Sequence, residues 1–92
     1  MKTVRMVVSG KVQHVGFRAC TKRIAVSLGV GGVVKNLPDG TVEITASGDP
    51  VILDKFVAML YACPRVVVRE VEVTALPFHE FPDFCILREI RQ

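Results

Sequence analysis

No stretch of this 92-residue sequence stays apolar long enough to span a bilayer, which takes about 20 residues. The N-terminus lacks the unbroken apolar centre of a signal peptide, because Lys2 and Arg5 interrupt it. No G-x-G-x-x-G opens a helix, so Gly29, Gly31 and Gly32 do not form a dinucleotide fingerprint. Cys20, Cys63, Cys85, His14 and His79 lack the close paired spacing of a zinc site, and no metal or other cofactor is expected. Asp39 and Glu43 make no obvious acid–base pair, since the first sits in a turn and the second on an outer strand face. Cysteine is scarce. Three of them, odd in number and without close pairing, fit reduced thiols in a cytoplasm better than a secreted disulfide framework. Repeats, linkers and low-complexity tracts are all missing.

What the chain does have is a dense apolar content: 50% hydrophobic residues, with a mean hydropathy of +0.41. A single domain over residues 1–92 can bury a core of that composition. The net charge of +3 is mildly basic. Its cations are scattered rather than gathered in a stripe, and Arg65, Arg69, Arg88 and Arg91 alternate with acids. A small anionic ligand suits this balance better than a polyanion does.

The pattern along the chain changes period several times. Residues 2–9 alternate, with Val4, Met6 and Val8 on one face, which predicts a half-buried strand. From Phe17 the steps become three and four, through Cys20, Ile24 and Leu28, and Gly29 offers a C-cap. Two strands, 30–36 and 41–46, flank the turn "LPDG", in which Gly40 can supply a positive φ. Asp49-Pro50 reads as an N-cap and first helical position. Leu53, Phe56, Leu60 and Cys63 then make a second helical stripe, stopped by Pro64. On both stripes the cysteines are expected to fill core. Alternation returns over 66–75, and a short last strand is predicted over 84–90. Phe78, Phe81 and Phe84 are expected to cap the core. The order is βαββαβ plus a terminal strand. It predicts a ferredoxin-like α/β sandwich, with a mainly antiparallel sheet and two helices on one face.

The stretch "KVQHVGFRAC" poses the functional question. It leaves a strand, passes Gly16 and places Arg18 at a helix start, where the backbone already carries partial positive charge. Two readings are open. Arg18 points into water, or an anion sits between it and the unpaired N–H groups of the loop, which curl into a nest. Asn36 also has two readings, as a turn-stabilising amide or as a polar group directed at the mouth of that loop. In this topology its strand can lie beside the first one.

"GKVQHVGFR", from Gly10 to Arg18, resembles the acylphosphatase motif G-x-V-Q-G-V-x-F-R. "GVVKNLPDGTVEITASG", from Gly32 to Gly48, resembles the second motif of the same family. The resemblance implies metal-free hydrolysis of carboxyl-phosphate mixed anhydrides, with Arg18 and Asn36 as catalytic residues. On that basis the amides of Gln13, His14, Val15, Gly16 and Phe17 hold the phosphoryl group with Arg18, and Asn36 holds the attacking water. This chain departs from the family at His14, where glycine is usual, and at Val33, where an aromatic residue often stands. Histidine tolerates positive φ, so His14 is expected to replace the glycine through its backbone, with its ring in solvent.

Two other readings compete. One is a non-catalytic anion- or RNA-binding module, although the predicted strands lack the solvent-facing aromatic pairs on which bases stack. The other is a relative specific for carbamoyl phosphate. The expected partner is a small acyl phosphate, with no nucleic acid, no membrane and a monomeric, cytoplasmic protein.

Overall fold

The computed structural model describes residues 1–88. Its elements run β1 (Lys2–Lys11), α1 (Phe17–Leu28), β2 (Gly31–Asn36), β3 (Val42–Gly48), α2 (Pro50–Leu60), β4 (Val67–Leu76) and β5 (Phe84–Ile86). The strands form one sheet in the order β4-β1-β3-β2-β5. Among the described residues only the β2–β5 pairing is parallel. This is the ferredoxin-like sandwich that the alternating periods predict.

Register explains the core. Val4, Met6 and Val8 of β1 lie opposite Ala46, Ile44 and Val42 of β3, so inward residue meets inward residue at each step. All six are buried. Full burial contributes about 1.5–3 kcal/mol for each large apolar side chain. The helices supply the other side of the core through Phe17, Leu53, Phe56 and Leu60. The buried face of α1 is turned slightly from the predicted stripe. Thr21 and Ala25 are buried with Phe17 and Cys20, while Ile24 and Leu28 pack at its margin.

The local stop and start signals act as expected. Gly29 caps α1 at φ 70°. The Asp49 side chain accepts from the Val51 amide at 2.9 Å, with Pro50 in the first turn of α2. Gly40, at φ 92°, completes the hairpin turn.

Other expectations need correction. Cys20 and Cys63 are joined in a disulfide across 43 residues, with Cα atoms 6.1 Å apart, rather than standing as reduced thiols. The physical reason is that the two helical elements face each other, so two core-facing positions meet. Cys85 stays a free thiol, and it donates to the Asp83 carboxylate at 3.1 Å. That bond pushes its pKa upward.

The three phenylalanines also divide. Phe84 is buried and meets Phe56 edge to face at 6.2 Å, whereas Phe78 is exposed and Phe81 half-buried against the His79 ring. Thr3, expected on the outer sheet face, is buried because the loop after β4 crosses it: the His79 amide donates to its hydroxyl at 2.8 Å. The last strand ends at Ile86, and its predicted end at 89–90 lies outside the described residues.

Candidate functional site

β1, β2 and β5 share one direction. β1 and β2 both run antiparallel to β3, and β5 runs parallel to β2. Their C-terminal ends therefore reach the same edge of the sheet. β2 does not lie beside β1, as the sequence had suggested it can; β3 separates them. The shared direction still brings Asn36, at the end of β2, to the loop that follows β1.

That loop is shaped by its backbone. The β1–β4 register shifts between Ser9 and Gly10, and Gly10 sits at φ 124°. A Cβ there would run into the Val67 carbonyl, so the bulge requires glycine. Beyond it Val12 turns into the core. His14 then takes φ 62° and Gly16 φ 79°, two left-handed residues with Val15 between them. Such reversals curl the chain so that N–H groups face inward. The expectation that His14 substitutes for glycine through its backbone is met in conformation, and the residue is exposed.

α1 starts without the usual neutralisation. Gly16 is its N-cap, no side chain caps it, and its first turn contains no acid. The first bond back into the loop is from the Cys20 amide to the Gly16 carbonyl, at 3.1 Å. The amides of Phe17, Arg18 and Ala19 precede that bond and have no intrahelical acceptor. The positive end of the helix thus stays open beside the Arg18 guanidinium.

Asn36 is 7% exposed, and its side-chain oxygen is buried without a hydrogen-bond partner among the described residues. Leaving such an acceptor unsatisfied costs about 1–3 kcal/mol. The turn beyond it is firm: Asp39 accepts from the Thr41 hydroxyl at 2.6 Å and from its amide at 3.0 Å. Those bonds hold the Asp39 carboxyl below its usual range.

A cleft of about 180 Å³ opens at this edge, and His14, Gly16, Phe17, Arg18 and Asn36 all line it. Gln13 and Val15 do not. Val15 packs against the core, and the Gln13 side chain donates to the Leu37 and Thr41 carbonyls at 2.8 Å each. Sequence reasoning missed that tie, as well as four lining residues: Val12, Ala19, Ile86 and Arg88. The regular alternation of β1 carried forward would have flagged Val12. Nothing local marks Arg88, whose place depends on β5 pairing with β2. Among the described residues no carboxylate lines the cleft, so its electrostatics suit an anion. Among the described residues, no three His, Cys, Asp or Glu side chains converge as a metal site. No described helix is long and apolar enough to cross a membrane.

Comparison with known proteins gives a consistent result. A family model described as acylphosphatase matches residues 4–86. An acylphosphatase of Ligilactobacillus salivarius is 39% identical over 94% of this chain and 98% of its own length. One from Archaeoglobus fulgidus is 45% identical over 91% of this chain and 96% of its own. Among solved structures, the acylphosphatase from Bacillus subtilis superposes with a TM-score of 0.90. It is 35% identical and covers 95% of this chain and 99% of that one.

Proposed function

The chain belongs to the acylphosphatase family, and from that premise we propose how its own residues hydrolyse a carboxyl-phosphate mixed anhydride. The phosphoryl group sits in the loop from Gln13 to Arg18. Backbone amides and the Arg18 guanidinium bind its non-bridging oxygens, as a planar fork suits phosphate. The open start of α1 supports this placement: unpaired amides and an unneutralised dipole have no acid of their own to meet. The buried, unpartnered Oδ1 of Asn36, in the same cleft as Arg18, carries the reading of the nucleophile. It accepts from a water and holds it in line.

The water oxygen forms a bond to phosphorus while the bond from phosphorus to the acyl oxygen breaks. The carboxylate leaves with the electron pair, and the water's proton passes to a phosphate oxygen. A carboxylate is a good leaving group and needs no acid. Positioning and charge stabilisation are therefore the main demands on the protein. The substrate is a free small molecule, and the domain acts as a monomer without metal.

The test is phosphate release from acetyl phosphate and carbamoyl phosphate, before and after dialysis against a chelator. Turnover of both, unchanged by the chelator, is expected. Activity that returns only with a divalent ion rejects the amide-and-arginine cradle as sufficient.

A further inference from the structure

Arg65 stands in an unfavourable place twice over. It follows Pro64 in the turn after α2 and adopts φ 64°, a left-handed conformation that costs any residue with a Cβ. Its guanidinium reaches back to the start of α1, where Nη2 lies 3.8 Å from the point a Cβ on Gly16 would occupy. That is the positive end of the helix dipole, and it repels a cation. Arg65 forms no ion pair among the described residues. The ion pairs found there are Arg5–Glu43 and Lys35–Glu43, both involving other cations. The turn is also clamped. Cys63, two residues before Arg65, is bonded to Cys20, which lies in the first turn of α1.

Arg65 is exposed and is not among the residues that line the cleft; it meets the site only at Gly16, which does line it. We propose that from this margin Arg65 acts as a second guanidinium toward the bound anion, held over the Gly16 end of the loop by the Cys20–Cys63 disulfide. It strengthens binding of the phosphoryl group of the substrate. The inference rests on the phosphate-loop reading above and adds a residue outside both sequence motifs. A cation placed against strain and dipole becomes favourable once a phosphate lies between it and the helix amides. Its action is on binding in ground and transition state alike, so it shows in KM rather than in kcat.

The experiment uses acetyl phosphate as substrate and inorganic phosphate as competitive inhibitor. Arg65→Asn removes the cation while keeping a residue that tolerates positive φ. It is expected to raise KM and the phosphate Ki about threefold to fivefold at low ionic strength, an effect that fades as salt screens it. Arg65→Lys should retain most of the binding. Cys63→Ala is expected to raise Ki when Arg65 is present and to add nothing in the Arg65→Asn background. Far-UV circular dichroism confirms that the folded proteins are being compared. An Arg65→Asn protein with the wild-type Ki at low salt overturns the proposal. So does a Cys63→Ala shift of equal size in both backgrounds. A wild-type protein that hydrolyses no acyl phosphate counts instead against the proposed reaction. Phosphate titration followed by amide NMR shifts still reads the Arg65 contribution in that case.

Discussion

The side-chain amide of Gln13 donates to the carbonyl of Leu37 at 2.8 Å, and Leu37 is the residue after Asn36. A second bond from the same nitrogen, to Thr41, closes the link across the hairpin turn. The loop after β1 and the strand end that carries Asn36 are thereby fixed to one another, although β3 separates their strands.

In the proposed mechanism Gln13 serves as a positioning residue whose loss acts through Asn36. Gln13→Ala should lower kcat by about tenfold, the scale on which a displaced catalytic group loses rate. Gln13→Glu should do no better, because a carboxylate cannot donate to two carbonyls. Combined with Asn36→Ala, the loss should be less than additive. Full additivity in that double variant would show that Gln13 does not work through Asn36.

Arg18→Lys keeps the charge but loses the bidentate fork. Activity should fall by about two to three orders of magnitude, as when a transition-state donor is removed. Thermal unfolding should be close to wild type, since the half-buried Arg18 has no ion pair or side-chain hydrogen bond among the described residues. Near-normal turnover in a folded Arg18→Lys protein would sink its assignment.

Asn36→Ala separates function from stability. Oδ1 has no hydrogen-bond partner among the described residues, so deleting it breaks no protein–protein bond and relieves a desolvated acceptor, partly offset by lost packing. The variant should be no less stable by urea titration than the wild type. Its kcat should drop far more than its KM rises. A pure KM effect would make Asn36 a substrate clamp instead.

The φ of 62° at His14 sets which residues can stand there. Glycine adopts it freely, histidine at a modest cost and a β-branched residue at a large one. His14→Gly should retain activity, whereas His14→Val should lose phosphate affinity while the domain stays folded. A folded but inactive His14→Gly protein would require the imidazole to take part in the chemistry.

Breaking the Cys20–Cys63 bond releases a 43-residue separation in the unfolded chain. Loop-closure entropy for that length amounts to about 4 kcal/mol, with native disulfides typically contributing about 2–5 kcal/mol. Urea midpoints measured with and without reductant should differ accordingly. Coincident curves would mean that the bond adds nothing to stability.

The readable features of this chain were those decided within a few residues. Gly29 and Asp49-Pro50 bound helices because cap geometry is local, and the turn at Gly40 needs only its own φ. Alternation placed Val4, Met6 and Val8 inward because a strand's period is two whatever it pairs with. Arg18 and Asn36 were legible through their motif surroundings, and the left-handed backbone of His14 through the tolerance of its residue type. Strand order was not local. It settled that β3, rather than β2, lies next to β1, and that Asn36 reaches the loop through shared strand direction. The Gln13 bridge, the Arg88 wall, the Cys20–Cys63 bond and the approach of Arg65 to Gly16 all join residues far apart in the chain. Each depends on how two helices and five strands pack together, a sum over many contacts that no short window of sequence contains.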